Sequence, residues 1–584
     1  MNFDFIGRVC RLAVIGATLL ASASCIQVNE QLGENLIPTD QKWDVFPQED
    51  APLKSIRLQM ADSLSGYSST RFTLGAIKDD ILGSTVKGST FTLVPVSDTL
   101  DFGKNTEVRG FHFTAARDTL STAYDYQQRI LQNIYVYELK QALDSTVLYA
   151  GEFTSEEIRD KYIDFSTRIT DGVPVYDGGD SLSFEFSKAF AESMVERLKV
   201  ADMDSLSLYL NGNKDKGTKG IPGIYITTDT PTGMGGRYNL FELNIKYDSQ
   251  YGYITGNYAE LKIRADYGDR TGVDTSFVFL FGPGDFLKNL ESSSNIPQYA
   301  FNASIHDTQT EYEKGILATD KIFVEGGCGV KPVIKAREIR EIIEEQMVAA
   351  GIADITETVI NKATIVLPYN VNGNYDLIDK FPVILSPTVK LRSSSNNKYV
   401  TYAGLTDSSI ASENQGDINR SLSMYSPDIS HHVQEIMKVK KDADYDKNIE
   451  KYDIWFLIMH EEITESSSSS SAYDDYYNNL MYNSYYNNMM YDPYGYGYGY
   501  GGYGYGYGYG GYGGYGYNNY YNYYMMAAYA NSYNTTTEES SIELDKDRYY
   551  RCTLNGPDYS DNIKELPRLR VTFSSPKTAE KVTE

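Results

Sequence analysis

Short runs in which apolar and polar residues alternate constrain the fold of this chain more than any other feature of its sequence. Such alternation places one face of an extended strand against a core and leaves the other face in water. Many short strands of this kind, separated by turn residues, predict a mainly β fold of antiparallel, jelly-roll-like β-sandwich domains. The clearest runs are Leu182, Phe184 and Phe186; Leu206, Leu208 and Leu210; Phe241, Leu243, Ile245 and Tyr247; and Leu261, Ile263 and Ala265.

A glycine-containing loop and three helical segments complete the secondary-structure prediction. The loop with Gly252 and Gly256 joins two of the runs, so we predict that 241–247 and 261–265 pair antiparallel. Three segments have helical periodicity, and we expect them to cover sheets or connect strands. They are 335–350, which ends at Gly351; 188–200, which Ser187 caps; and 429–438.

The segment 466–533 differs from the rest of the chain in composition. It opens with a run of serines, continues through repeats of Tyr, Gly and Asn, and holds nearly half of the 52 tyrosines. Because it has almost no aliphatic residues from which to build a core, we predict a long disordered insert. Its tyrosine rings suit stacking on sugars. A repeat expansion without function explains the same composition.

Net charge and length bound the class of protein and the number of domains. The 584 residues carry a formal charge of −26, which excludes a generic nucleic-acid-binding protein, because neutralising phosphates requires an excess of Lys and Arg. We predict an N-terminal β-rich domain over 56–325 and a C-terminal β-rich domain over 326–584, which the insert interrupts. The boundary is placed before the turn at 326–329.

The first 55 residues have the features of an export signal followed by a tether. Arg8 and Arg11 precede an apolar stretch that is too short to span a bilayer, and small residues lead to Cys25. This arrangement resembles the lipobox of bacterial lipoproteins, although Ser22 stands where a branched apolar residue is usual. We predict a signal peptide over 1–24, lipidation of Cys25 and a Pro-containing tether over 25–55. Plain secretion is the alternative.

Two cysteines, Cys328 and Cys552, remain once the signal is removed and Cys25 carries lipid. Disulfides are permitted in an exported chain, so one bridge between them is one interpretation. The other interpretation is two separate buried thiols. We favour the second, because cysteine is among the most buried residue types.

No motif in the sequence indicates catalysis or a cofactor site. We therefore predict that the protein is not an enzyme and binds no cofactor. The best metal candidate is an acidic segment with the ligand spacing of a calcium loop, although Lys447 replaces the turn glycine. A solvated acidic loop is the alternative. Paired carboxylates of a glycoside hydrolase are set by distance in the fold, so that class is a further alternative. The calcium candidates are Asp442, Asp444, Asp446, Asn448, Glu450 and Asp453.

A recurrent pattern of Asp followed by Ser or Thr suggests covalent modification. With an apolar residue or Thr in third place, the pattern is similar to the O-glycosylation acceptor of exported Bacteroidetes proteins. A turn residue that opens a strand explains most of the same occurrences. The candidate acceptors are Ser63, Thr99, Thr119, Ser145, Ser181 and Ser205.

Five stretches of the mature chain are distinctive when they are taken together. They are 32–38 (LGENLIP), 134–139 (IYVYEL), 324–332 (VEGGCGVKP), 361–368 (NKATIVLP) and 567–572 (PRLRVT). In these stretches the chain resembles the Bacteroidetes lipoprotein family named domain of unknown function 4270, and 324–332 is the most specific part of the resemblance. The resemblance implies an exported, lipid-anchored, β-rich protein, and it brings no catalytic residues.

These observations predict a non-catalytic, lipid-anchored lipoprotein of the cell envelope with a structural or ligand-presenting role. Its anchor is expected in the outer membrane, and the sequence leaves open whether its body faces the periplasm or the cell surface. A polysaccharide-binding surface lipoprotein is the alternative, with the insert or a sandwich face stacking on sugars. The expected partners are the membrane, through the lipid, and a glycan or an envelope protein.

Overall fold

The computed structural model describes residues 43–576 with internal gaps. The gaps are 62, 69, 96–99, 119–129, 145–146, 202–204, 244, 249–252, 283–299, 308–309, 353–354, 374, 376–377, 379–380, 393–399, 410–413, 467–536 and 548–550. The described part is mainly β and antiparallel, which confirms the predicted sandwich-type fold class with a few covering helices. No helix in this part is long and apolar enough to cross a membrane.

Strands greatly outnumber helices in the described part of the chain. The strands up to residue 306 are β1 (Trp43–Pro52), β2 (Arg57–Met60), β3 (Tyr67–Ser68), β4 (Arg71–Asp79), β5 (Gly83–Pro95), β6 (Lys104–Ala116), β7 (Gln132–Leu139), β8 (Ile163–Arg168), β9 (Val175–Tyr176), β10 (Ser181–Glu185), β11 (Ile224–Thr228), β12 (Gly235–Glu242), β13 (Ile245–Asp248), β14 (Tyr253–Gly256), β15 (Tyr258–Tyr267), β16 (Arg270–Gly282) and β17 (Ala300–His306). The later strands are β18 (Ile316–Leu317), β19 (Lys321–Glu325), β20 (Val330–Ile334), β21 (Val359–Pro368), β22 (Ile384–Arg392), β23 (Val400–Gly404), β24 (Ile418–Asn419), β25 (Met424–Tyr425), β26 (Ile454–Ser466), β27 (Thr537–Leu544), β28 (Arg551–Asn555) and β29 (Arg568–Pro576). The helices are α1 (Glu156–Tyr162), α2 (Lys188–Leu198), α3 (Leu206–Asn211), α4 (Thr310–Lys314), α5 (Ala336–Ala349), α6 (Ser430–Lys438) and α7 (Tyr445–Ile449).

Strands β3 to β17 form the first of two sandwiches, here called the N-terminal sandwich. Its largest sheet runs β10-β6-β15-β16-β5-β11-β7-β8, and the long strand β5 also pairs with β4 and β17. Phenylalanines fill the core, because alternate residues of facing strands point inward. The ring centroid of Phe113 lies 4.6 Å from that of Phe184 and 4.8 Å from that of Phe281.

The second sandwich, here called the C-terminal sandwich, contains β18 to β29 together with β1 and β2. Its two main sheets run β1-β29-β21-β25-β24 and β18-β2-β20-β26-β22-β23. Helices α5 and α6 pack on its core through Ile339, Ile343, Val433 and Ile436. The core is mainly aliphatic and separate from the phenylalanine-rich core of the N-terminal sandwich.

The predicted tether over 25–55 is wrong for its last part. Residues 43–52 form β1, an edge strand that pairs antiparallel with β29, and Leu53 and Ile56 are buried in the C-terminal core. Phe46 stacks on Phe573 at 5.1 Å, which ties the strand to the sheet. A bulge between Phe46 and Glu49 accommodates Pro47, since proline is tolerated at bulges and edges. The C-terminal sandwich therefore draws on both ends of the described chain, and β18 and β19 join it before residue 326.

Local predictions of helices succeed, whereas one predicted strand and one predicted pairing fail. Helices α2, α5 and α6 confirm the three predicted segments, and Ser187 Oγ accepts from the Phe190 N–H as expected of a cap. The run 206–210 is wrong as a strand, because it forms helix α3 with Ser205 as its cap. The pairing of 241–247 with 261–265 is also wrong: β12 pairs with β4, β13 with β14, and β15 with β6 and β16.

Candidate functional site

A partly exposed aromatic face on β7 and β8 is the candidate functional site. Along β7, the side chains of Gln132, Ile134 and Val136 are buried, so the intervening residues point to the other side of the sheet. We use the name β7 face for the side chains there. They are Asn133, Tyr135 and Tyr137 on β7, Phe165 and Arg168 on β8, and Asp229 after β11.

The rings of the β7 face lie next to one another across two strands. The ring of Tyr137 meets that of Phe165 edge-on, with centroids 5.0 Å apart and planes at 71°. The Arg168 guanidinium lies 6.0 Å from the ring centroid of Tyr135, which is within cation–π range. Phe165 is 42% exposed, although a phenylalanine ring gains by burial. Tyr135 and Tyr137 are half-buried, and Tyr137 also packs against a buried cluster, so these contacts make a hydrophobic surface that is partly open to solvent.

A carboxylate and an amide border this aromatic surface. Asp229 Oδ2 accepts from the Tyr135 hydroxyl at 2.7 Å and from Asn133 Nδ2 at 3.1 Å. The hydrogen bond to Asp229 raises the pKa of Tyr135, and partial burial raises the pKa of Tyr137, so both phenols are neutral at physiological pH. The face therefore combines neutral aromatic rings with charged and polar groups that are positioned by direct contacts.

Such a surface suits a ligand with both apolar and hydroxyl-bearing faces. Aromatic rings stack on flat apolar faces, while carboxylate, amide and guanidinium groups exchange hydrogen bonds with hydroxyls. Val175, which lies opposite Asn133 in the register and is 56% exposed, extends the apolar area at the strand ends. Clustered exposed apolar side chains are typical of interaction surfaces.

The predicted calcium loop is wrong. Helix α7 begins directly after Asp444, so the carboxylates that would converge on one ion are spread around a helical turn. Asp446 pairs with Arg337, and Asp453 accepts from Lys335 Nζ at 2.6 Å. In the described residues, no group of three or more His, Cys, Asp or Glu side chains is placed to hold a metal ion. The residues concerned are Asp442, Asp444, Asp446, Asn448, Glu450 and Asp453.

The candidate O-glycosylation sites occupy different environments. Ser63 is buried, so the prediction is wrong for this residue in the folded chain. Ser205 is partly buried, and its hydroxyl caps α3 by accepting from the Leu208 N–H at 3.4 Å. Ser181 begins β10 with an exposed side chain, and there the modification stays a prediction. The acceptors Thr99, Thr119 and Ser145 lie outside the described residues.

The glycine-rich stretch 324–332 forms a buried turn between β19 and β20. Gly327 has a φ of +57°, and a Cβ there would lie 2.7 Å from the Lys546 carbonyl oxygen, so the turn requires glycine. The Lys331 ammonium donates to the carbonyls of Glu325, Gly327 and Gly329, the last two at 2.9 and 3.4 Å. Lys331 is 1% exposed, and burial lowers its pKa to about 8. The buried ammonium of Lys331 thus stabilises the turn by hydrogen bonds to its carbonyl groups.

The two cysteines of the C-terminal sandwich are separate, buried, free thiols. Cys328 lies in the glycine-rich turn, and Cys552 lies on β28 opposite Val324 of β19. The structure therefore agrees with the interpretation that we favoured and contains no bridge between them. Their surroundings differ: Cys328 lies beside His306, whereas Cys552 packs in the aliphatic core.

Three predictions fall outside the described residues: the signal peptide over 1–24, the lipidated Cys25, and all of the insert 466–533 except Ser466. The structure does show where the insert joins the fold. Strands β26 and β27 pair antiparallel up to Ser466 opposite Thr537. Ser466 and Thr537, at the paired ends of β26 and β27, therefore mark the points where the insert is attached to the C-terminal sandwich.

Sequence reasoning missed the β7 face. Its local signal was available, because Tyr135 and Tyr137 alternate with apolar residues in the stretch 134–139. Tyrosines at alternate positions on a half-exposed strand indicate an aromatic surface. The partners Phe165, Arg168 and Asp229 are distant in sequence, so only the fold could bring them to this strand.

Comparison with protein-family models, with curated proteins and with solved structures finds no match to this chain.

Proposed function

We propose that this chain is a non-catalytic, lipid-anchored protein of the cell envelope that presents a ligand-binding face. The signal-like start and the small residues before Cys25 support export and lipidation. The partly exposed aromatic β7 face carries the ligand-presenting role. It is built on paired strands, which hold its groups in place more firmly than a loop would.

A glycan is the ligand class that the β7 face favours. A pyranose ring has an apolar face that stacks on Tyr137 and Phe165, and its hydroxyls match Asp229, Asn133 and Arg168. The groups lie on a sheet face rather than in a deep pocket, and such a surface suits an extended polysaccharide chain. This observation favours the second function, a polysaccharide-binding lipoprotein.

We expect Tyr137→Ala to weaken retention of the full chain on an insoluble polysaccharide. Loss of one stacking ring of about 1.5 kcal/mol corresponds to roughly tenfold in Kd. The measurement is a pull-down isotherm on peptidoglycan, xylan and starch. Tyr375→Ala is the matched control, because Tyr375 is an exposed tyrosine on the C-terminal sandwich, and its loss should leave the isotherm unchanged.

A second control separates the β7 face from the insert. Because Ser466 and Thr537 are directly paired, an Asn-Gly turn in place of 467–536 closes the hairpin without changing its register. Retention that survives this replacement but falls in Tyr137→Ala supports the β7 face. Retention lost only with the insert, or equal loss in Tyr137→Ala and Tyr375→Ala, would contradict it. Absence of retention on all three polysaccharides would reject a glycan of these classes as the ligand.

The anchor has its own test. We expect Cys25→Ser to move the protein from the membrane fraction to the soluble fraction, since acyl chains on Cys25 would supply the membrane attachment. Immunoblotting of fractionated cells measures the distribution. Because the substitution lies outside the described sandwiches, the soluble form should bind the same polysaccharides as the native chain. Unchanged membrane association of Cys25→Ser would refute the anchor without bearing on the β7 face.

A further inference from the structure

A cysteine in a turn of the C-terminal sandwich contacts a histidine of the N-terminal sandwich. Cys328 lies in the turn after β19, and His306 is the last residue of β17. The Cys328 sulfur lies 3.5 Å from His306 Nε2. Both residues are buried, with exposed fractions of 2% and 6%. The pair thus lies where the two sandwiches meet, and it shares no residue with the β7 face.

Hydroxyl and carboxylate groups hold the imidazole of His306. Its Nδ1 lies 3.0 Å from Thr85 Oγ1, and the Thr85 hydroxyl donates to Glu325 Oε1 at 3.4 Å. With the Thr85 proton directed to Glu325, the Thr85 oxygen accepts from Nδ1–H, and Nε2 faces the thiol. Ser304 Oγ lies 3.2 Å from the same Nε2. A nucleophile, a base and a group that orients the base are thus arranged in series.

Contact between the two groups shifts both pKa values toward the charged forms, against the effect of burial. Burial by itself raises the pKa of Cys328 and lowers the pKa of His306. The hydrogen bond and the opposite charges within the pair outweigh burial, and they leave the pKa of Cys328 below and that of His306 above its ordinary value. The thiolate, which is the reactive form of cysteine, is therefore stabilised.

A small cavity adjoins the thiol, and its walls combine apolar surface with several polar and charged side chains. Its volume is about 10 Å³, close to what one water molecule needs, so hydrogen peroxide enters only when the lining side chains shift slightly. Thr73 Oγ1 is buried and finds no hydrogen-bond partner within the described part of the chain. Such an unpaired hydroxyl indicates a missing polar guest. The cavity is lined by Cys328, Ser304, Thr73, Lys87, Lys546 and Asp547, among others.

Lys87 places a positive charge in the wall of the cavity, which the side chain of Asp547 also lines. It is a buried residue on β5, and its ammonium donates to the Asp547 carbonyl at 3.1 Å and lies 4.6 Å from the ring centroid of Tyr238. A cation at this position stabilises negative charge that develops on a leaving oxygen. The guest that fits these features is small, polar, and able to accept and donate hydrogen bonds.

We propose that Cys328 is a peroxide-reactive thiol, with His306 as its proton donor and the adjoining cavity as the peroxide site. The thiolate attacks one oxygen of a hydroperoxide, so the S–O bond forms as the O–O bond breaks. With hydrogen peroxide, the departing hydroxide takes the proton of the His306 imidazolium and leaves as water. The sulfur is oxidised to sulfenic acid, the peroxide is reduced, and neutral imidazole remains.

Cys552 provides a matched control within the same chain. It is as buried as Cys328, but it packs in the aliphatic core of the C-terminal sandwich. Burial raises the pKa of Cys552 to about 12. Because its thiolate is disfavoured, we expect it to be inert while the chain is folded.

The test exposes the folded full chain to hydrogen peroxide for timed intervals and removes the peroxide. The chain is then denatured in dimedone, which traps the sulfenic acid already formed and could not reach the buried thiol of the folded chain. Mass spectrometry of the two cysteine-containing peptides gives both rates in one sample. We expect Cys328 to react at least about tenfold faster than Cys552, the change in thiolate fraction for one pKa unit. Equal rates at the two cysteines, or labelling of Cys328 only when the peroxide is added after denaturation, would overturn the proposal.

Two variants separate activation by His306 from simple access to the thiol. His306→Gln should lower the rate at Cys328 at least about tenfold, because one pKa unit of lost thiolate stabilisation has that effect. Cys552→Ser should leave the rate unchanged. An undiminished rate in folded His306→Gln would contradict the role of the histidine. If His306→Gln does not fold, the native chain is tested with cumene hydroperoxide instead. Because the cavity is small, this bulky peroxide should oxidise Cys328 more slowly than hydrogen peroxide does. Equal rates with the two peroxides would refute the peroxide site.

Discussion

Lys331→Met is expected to lower the free energy of unfolding by about 3 to 5 kcal/mol, because it leaves buried carbonyl groups without their donor. The ammonium of Lys331 is bonded to three carbonyls of the glycine-rich turn, and methionine offers none of these bonds. Guanidinium-induced unfolding measures the change. The fluorescence of Trp455 is a suitable probe, since it lies on β26 opposite Val333 of β20.

Lys321→Met is the matched control for this prediction. Lys321 opens β19 with an exposed side chain, so the same substitution should change the free energy of unfolding by no more than about 0.5 kcal/mol. Similar midpoints for Lys331→Met and the native chain would show that the buried ammonium does not hold the turn.

The pH dependence of the same pair of proteins gives an independent check. Burial lowers the pKa of Lys331 to about 8 in the folded chain, against 10.5 for a free lysine. Between these values the unfolded chain binds more protons, so the cost of burying the charge is present below pH 8 and is relieved as pH rises. From pH 8 to 9.5 the native chain should gain about 1 to 2 kcal/mol relative to Lys331→Met. A difference that stays constant with pH would contradict the assignment.

Gly236→Ala is expected to have an effect of similar size in the other sandwich. Gly236 on β12 has a φ of +135°, and a Cβ there would lie 2.0 Å from the Ala76 carbonyl oxygen on β4. The neighbouring Gly75 is equally close, since its Cβ would lie 2.1 Å from the Arg237 carbonyl oxygen. Backbone strain and overpacking together should cost about 3 to 5 kcal/mol.

Gly233→Ala is the control for Gly236→Ala, because a Cβ at Gly233 would meet nothing within 4 Å. That variant should unfold within about 0.5 kcal/mol of the native chain. Thermal and guanidinium unfolding, followed by circular dichroism, compare the two alanine variants. Equal stabilities would mean that β12 and β4 can separate at Gly236 without loss, contrary to the close approach in the structure.

Predictions from short-range patterns succeeded where the pattern was long or had a cap. The helix over 336–349 shows its apolar stripe across four turns, and α2 has a serine cap that forms as expected. The strands at 182–186 and 261–265 bury their alternate residues. In these segments, local preference and tertiary burial favour the same conformation.

The run 206–210 shows why shorter patterns fail. Five residues with apolar side chains at alternate positions fit a strand. The same five residues make little more than one turn of a helix, so the pattern is too short to distinguish the two conformations. In the fold, Ser205 caps the helix, and the Tyr209 hydroxyl donates to the Leu93 carbonyl at 2.7 Å. Packing against β5 therefore decided between two conformations that the local pattern allows.

The calcium prediction failed for a related reason. Spacing along the chain describes a ligand set only if the backbone forms the expected loop. Between Asp444 and Asp453 the backbone is helical instead, and Lys335 and Arg337 from α5 and its cap pair with two of the carboxylates. These cations are distant in sequence, so the acidic segment by itself could not reveal them.

The sequence by itself determined the mainly β class of the fold, the alternating strands at 182–186 and 261–265, and the three longer helices α2, α5 and α6. Only the tertiary structure decided which strands pair, that β1 joins the C-terminal sandwich, and which side chains form the β7 face and the Cys328–His306 pair. The physical reason is range. Hydrophobic periodicity and capping act within a few residues, whereas Asp229 beside Tyr135, or His306 beside Cys328, depends on packing between strands that are far apart in the chain.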